Sequence, residues 1–435
     1  MCLLVALGLL SAGRAPVIEA ASIEATWTGG AGTTSYDTPG NWNVGEVPIN
    51  DGNTYDVIID GAVIINYDVD PVSSVTDLSL GASSSLIVDP GTNLSVLDDA
   101  RIAGIITVQG ATFTAAAGGA QFTDNRGRLS VTGSGTLAMA ATQYSPTALG
   151  SQNVTLLSAD GAGSLLDLSS LTRIDDGHGS GSRTQKIEAA NQGVIDLSGV
   201  GTLTGPTVGT SALLIHVRDD GNVLLPSLTG VSGYTRFDVD VPGYTLGALA
   251  TASETTFDVA GGSTVNAPAL HTLHASSVQR GDGATLNAPL LKTFTRSAVA
   301  LNPSRTFVNG GLEDIDDSAL AVSGGRVFGV ATGDVTATEY SCAGRGTENV
   351  TVFSADGAGS LLDLSLLTRI DDGHGSGSRT QKIEAANQGV IDLSGVGTLT
   401  GPTYWTSELL IHVRDDGNVL LPSLTGVSGY TRFDV

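Results

Sequence analysis

Five nine-residue stretches share one spacing: LDLSSLTRI (Leu166–Ile174), IDLSGVGTL (Ile195–Leu203), VLLPSLTGV (Val223–Val231), VNAPALHTL (Val265–Leu273) and LNAPLLKTF (Leu286–Phe294). Each reads apolar, any residue, Leu or Ala, Ser or Pro, any residue, apolar, two residues, apolar. The first two apolar sites lie two apart, the spacing of one face of a strand. The later sites lie three apart, which no continuous strand gives, so the chain must turn a corner after the Ser or Pro. A strand, a corner and a further inward residue make up part of one coil of a solenoid.

The anchors Ser169, Ser198, Pro226, Pro268 and Pro289 are separated by 29, 28, 42 and 21 residues, and 42 reads as two coils of 21. Such periods mark stacked repeats that bury their faces against neighbours. Gly163, Gly193, Gly221, Gly262 and Gly283 precede the strands, which suits turns needing positive φ. Residues 55–140 hold looser β-rich runs, among them YDVIID, AVIINYDV and SLIVDPG, punctuated by Gly and Pro. TQKIEAANQG (Thr184–Gly193) is the best helix candidate, though short enough for a loop or a single turn. The fold expected is all-β: an elongated, right-handed, single-stranded parallel β-helix.

A longer repeat overlies the short one. Val154–Val239 recurs as Val350–Val435, changed only at Leu156/Val352, Leu157/Phe353, Ser170/Leu366, Val208/Tyr404, Gly209/Trp405 and Ala212/Glu408. Packing alone would fix only the apolar pattern. Identity that extends to polar letters points to duplication of a whole module, so copying by itself is no evidence of chemistry. The organisation expected is a leader (1–21), a Trp/Gly-rich N-terminal cap (22–54), solenoid coils (55–153), a first long unit (154–349) and a truncated second unit (350–435).

MCLLVALGLLSAG followed by VIEAAS has the apolar core and small residues of an export signal, without the usual preceding cation. After it no run approaches the about 18 apolar residues of a membrane helix. The net charge of −24 disfavours nucleic acid and anionic membranes and leaves divalent cations and glycans open. Cys2 falls in the leader, so Cys342 would be a lone thiol. Its repeat counterpart is Pro146, which argues against a required nucleophile.

ATWTGGAGTTSYDTPGNWNVGEVP, followed by DGNTYDVIID, resembles the start of large exported bacterial repeat proteins related to autotransporter passengers. The matching residues are Trp27, Gly29, Gly30, Asn41, Trp42, Gly45 and Pro48. The resemblance implies a right-handed parallel β-helix, a location outside the cell or on its surface, and a C-terminal sorting or anchoring element. It carries no catalytic motif. The strand–Pro–Leu pattern is also similar to leucine-rich solenoids, but the Asn which that family places in its turn is missing.

Three features are candidate sites. RIDDGHGSGS places Asp175 and Asp176, with copies Asp371 and Asp372, before a Gly/Ser run, where carboxylates and carbonyls suit calcium. The spacing fits no standard calcium loop, and a solvated loop ejected at a corner is the alternative. Tyr404 and Trp405 replace Val208 and Gly209, either to stack on sugar rings or to fill a gap. His271 and His274, three apart on a strand, would face opposite ways and share no metal.

The function expected is non-catalytic: a surface, matrix or adhesion element that presents loops along a rod to glycan or cell-surface partners. No cofactor is implied apart from calcium. The alternative is a glycan-acting β-helix enzyme, lyase or hydrolase. Charged side chains from three successive coils converging in one groove would favour the enzyme; charges scattered around the circumference would favour the scaffold.

Overall fold

The computed structural model describes residues 22–69, 72–115, 119–179, 181–375 and 377–435; the leader expected at 1–21 lies outside them. A typical turn of the chain lays down three short strands, such as Thr184–Ala190, Val194–Asp196 and Thr202–Thr204. The next turn repeats them as Ala212–Arg218, Asn222–Leu224 and Gly230–Ser232. These strands pair in parallel with their counterparts one turn later, without a register shift: Ile187 with Ile215, Ile195 with Val223, Leu203 with Val231. The result is a three-faced parallel β-helix. Among the described residues, one face is a continuous sheet of sixteen strands, from Ile64–Tyr67 to Thr431–Asp434. We call this the long face, and name the others second and third in chain order.

The predicted corner is present. Leu171 N–H donates to Leu168 O (2.9 Å), Val200 to Leu197 (3.0 Å) and Leu291 to Ala288 (2.9 Å), closing a tight turn between the second and third faces. Asp167 and Asp196 brace the corner by accepting from the amides of Ser169 and Ser198. Leu168, Leu171 and Ile174 all point inward and are fully buried, so the shift from a two-residue to a three-residue step is a corner rather than a broken strand. Burying each such side chain is worth about 1.5–3 kcal/mol. No rung can do so alone, because the cover for Ile195 is Val223 above it.

The 42-residue step is indeed two coils, the extra one carried by Tyr244–Thr245, whose Tyr244 pairs with Val265. The second face breaks here, since Asn222–Leu224 and Tyr244–Thr245 belong to different sheets. The Tyr244 hydroxyl spans the break and donates to Val223 O (2.9 Å), beside a cleft of about 490 Å³.

Two expectations need correction. Thr184–Ala190 is a strand and not a helix or loop: Gln185, Ile187 and Ala189 are buried while Thr184, Lys186 and Glu188 face out. Period two prevails because strands of the rungs before and after pair with it on both edges. The glycines before the strands also serve two purposes. Gly163, Gly262 and Gly283 do take positive φ. At Gly221 the left-handed positions are instead Asp219 and Asp220, and the glycine is there because a Cβ would lie 2.3 Å from Ala189 O.

At the N-terminal end, Ile23–Thr26 pairs with the first full rung at Tyr55–Ile59. Trp27 and Trp42 meet edge to face at 5.1 Å, and Tyr36 lies 4.8 Å from Tyr67 of the first rung. The buried Asn41 ties the segment together, accepting from Ala31 N–H and donating to Ser35 O and Thr33 Oγ1.

Candidate functional site: a polar groove at one corner

At the corner between the third and long faces, Glu254, Ala275, Arg296 and Asp317 recur every 21 residues with φ of 52°, 48°, 52° and 59°. L-residues other than Asn, Asp and His seldom adopt this left-handed conformation. Here it is held from both sides. Each amide donates to the next rung: Glu254 to His274 O, Ala275 to Thr295 O, Arg296 to Asp316 O, Asp317 to Ser341 O, all at 2.7–2.9 Å. Behind each lies a buried hydroxyl residue. Thr255, Ser276 and Ser297 amides donate to the hydroxyls of Ser276 (3.1 Å), Ser297 (3.1 Å) and Ser318 (3.3 Å). This internal ladder fixes the corner and turns Glu254, Ala275 and Arg296 outward, about 4.8 Å apart from rung to rung, whereas the Asp317 carboxylate is covered by the segment at Gly344, with one oxygen buried.

Ala275 is the small member of the column, and a groove of about 430 Å³ opens around it. Glu254, His274 and Arg296 come from three successive rungs, and the loop carrying Arg345 and Glu348 forms the far wall. His274 Nδ1 lies 3.0 Å from Thr295 Oγ1, which orients the ring. Glu348 faces two guanidinium groups at 3.8 Å (Arg296) and 3.9 Å (Arg345), too long for hydrogen bonds. Arg345 is 7% exposed, and its Nε and Nη2 have no hydrogen-bond partner. The chemistry available is that of polar recognition: cations, carboxylates and an imidazole around a space large enough for a small ligand.

Of these residues only His274 was singled out in the sequence, as half of a histidine pair. The signal was there: Glu254, Ala275, Arg296 and Asp317 each precede a Ser or Thr at an interval of 21. The wall could have been found by subtraction, because Arg345 and Glu348 stand opposite Leu149 and Gln152 at the 196-residue offset.

The predicted acidic pairs separate. Asp175 ends an outer strand, partly exposed, and its carboxylate accepts from Gly177 N–H (3.0 Å). Asp176 turns inward and is fully buried, with one oxygen bound by Arg183 Nη2 and the other unpartnered. Burial pushes the Asp176 carboxyl up to about 6, against the pull of Arg183. Asp371 and Asp372 repeat the arrangement, with Arg379 in place of Arg183. The two carboxylates of each pair thus lie on opposite sides of the wall, and the inner one is already held by a guanidinium. Among the described residues no cluster of three or more His, Cys, Asp or Glu is placed to hold a metal.

Tyr404 and Trp405 stand out from the wall, Trp405 71% exposed, with ring centroids 6.4 Å apart. Cys342 is buried, and burial pushes its thiol up to about 12. On the long face Glu188 gathers Lys186 (2.7 Å), His216 (3.0 Å) and Arg218 (3.2 Å), and Glu384 gathers Lys382, His412 and Arg414 in the same way. Burial alone would raise both carboxyls, but their cationic neighbours outweigh it and hold them below the usual range. The chain matches no protein-family model, no curated protein and no solved structure.

Proposed function

We propose that the chain is a non-catalytic, exported surface, matrix or adhesion element of a bacterium, a rod that presents the same surface at more than one height. The observation that supports this is the doubled anchoring of one loop. Asp176–Arg183 and Asp372–Arg379 clamp the two ends of identical Gly/Ser stretches from inside. The strands that follow, Thr184–Ala190 and Thr380–Ala386, lie eight steps apart in the long sheet, which is about 38 Å along the axis. Rigid spacing of that kind converts weak contacts into avidity. The aromatic segment 22–54 would serve as the cap that covers the first rung.

The test is glycan-array and matrix-component binding by the purified chain, then Asp175→Ala alone and together with Asp371→Ala. Avidity predicts that the single change lowers apparent surface affinity by well over tenfold. Absence of binding to any array surface would count against the proposal. A second reading, a glycan-acting lyase or hydrolase, gains from Glu254, His274 and Arg296 converging in one groove. Release of unsaturated or reducing ends from a polysaccharide panel, abolished by Glu254→Gln, would replace the scaffold reading with it.

A further inference from the structure

We infer that the groove around Ala275 is a binding site for an oxyanion, above all the carboxylate of an acidic saccharide, and that Glu348 is its built-in competitor. Arg345 is a buried cation whose Nη1 lies 3.9 Å from the nearest groove carboxylate, Glu348, and a buried cation with so distant a counter-ion is poorly compensated. The only groove carboxylate within 4 Å of it is Glu348, which is more than half exposed and beyond hydrogen-bonding distance of both Arg345 and Arg296. A carboxylate thus already lies between two guanidinium groups, but held loosely by a flexible surface side chain. A ligand carboxylate that displaced it could make charge-assisted bonds that Glu348 does not. The rest of the lining suits hydroxyls: Glu254 as acceptor, His274 and Ser253 as polar partners, and the Tyr234 ring as a stacking surface. The hole exists because Ala275 interrupts a column otherwise occupied by Glu254, Arg296 and Asp317.

This inference is independent of the loops that support the rod reading, so either can fail alone. The test is calorimetric titration of the whole chain with trigalacturonate, with its methyl ester and with inorganic sulfate. Trigalacturonate is expected to bind saturably and the methyl ester at least tenfold more weakly. Sulfate binding as tightly as trigalacturonate would assign the site to free oxyanions instead of a saccharide. Glu348→Gln removes the competitor and should tighten trigalacturonate by about five- to tenfold, a gain that a merely structural residue would not give. Arg296→Gln, an exposed change that spares the buried Arg345, should weaken it at least tenfold. No saturable binding of trigalacturonate or sulfate to the Glu348→Gln chain, equal binding of the ester, or indifference to Arg296→Gln would each overturn the inference.

Discussion

Arg183 donates through Nη2 to one carboxylate oxygen of Asp176 with both side chains wholly shut off from solvent, and Nη1 of the same residue reaches Gly150 O (2.9 Å) one rung away. Arg379 repeats both contacts, with Asp372 and with Gly346 O (2.9 Å). One guanidinium therefore closes a loop and ties two coils together. Removing one partner of a buried pair leaves the other charge uncompensated, at about 3–5 kcal/mol. Arg183→Met is expected to cost that much, and Arg183→Met with Asp176→Leu is expected to regain most of it. A stacked chain need not unfold in one step. The measurement is therefore hydrogen exchange at the Thr184–Ala190 amides, with Thr380–Ala386 in the same molecule as the unaltered control.

The pH dependence has two limbs. The folded carboxyls of Glu188 and Glu384 lie below their unfolded value of about 4.3, so their contribution is present above that pH and is lost as pH falls through the folded value. Asp176 is opposite: its folded value of about 6 exceeds the unfolded value of about 3.9, so its contribution is full below about 4 and is lost as pH rises through 6. Thermal stability should therefore be greatest near pH 4, where the Glu pairs are still largely in place and Asp176 has only begun to lose its contribution. The Glu188→Gln/Glu384→Gln chain should show a flatter acid limb and an unchanged limb above pH 5. A Tm that climbs steadily from pH 4 to 7 would contradict the account of Asp176.

The internal hydroxyl ladder offers a cleaner stability test than the charges. Ser297 Oγ accepts from Ser276 N–H and donates to Thr295 O (2.9 Å), inside the wall. Ser297→Ala leaves a buried amide without its acceptor, which costs about 1–3 kcal/mol. Thr293, on the outer side of the same rung, is a fitting control, because a surface change there should stay within about 0.5 kcal/mol. Denaturant melts of the two alanine variants would separate these cases.

How much of this was legible in the letters follows from what the letters constrain. The inward positions Leu166, Leu168, Leu171 and Ile174 are dictated by burial, and burial leaves a periodic trace, so the coil and its corner could be read. The strand Thr184–Ala190 was misjudged because Lys, Glu and Ala favour helices in isolation, whereas partners some thirty residues away on either side decide the matter. Asp176 could not be told from Asp175, since which of two neighbouring carboxylates faces inward depends on Arg183 being available across the loop. The groove was hidden for a similar reason. Its wall is supplied by Arg345 and Glu348, some fifty residues from Arg296, and only the stacking of rungs brings them together.

Trp405 gives the sharpest test of a surface role. It replaces Gly209, and in the first copy a Cβ at Gly209 would already touch the Tyr234 ring at 3.0 Å. In the second copy the indole is largely in solvent and lines a small pocket together with Tyr430, Glu408 and Arg432. A gap-filling tryptophan would cost about 3–5 kcal/mol on truncation. An indole already in water should cost little. Trp405→Gly, which restores the letter of the first copy, is therefore expected to shift stability by no more than about 0.5 kcal/mol. If the indole stacks on a sugar, the same change should lower affinity for the array glycan several-fold. A loss of several kcal/mol in the melt would instead show the ring packed against Tyr430 in solution, and the surface role would fall.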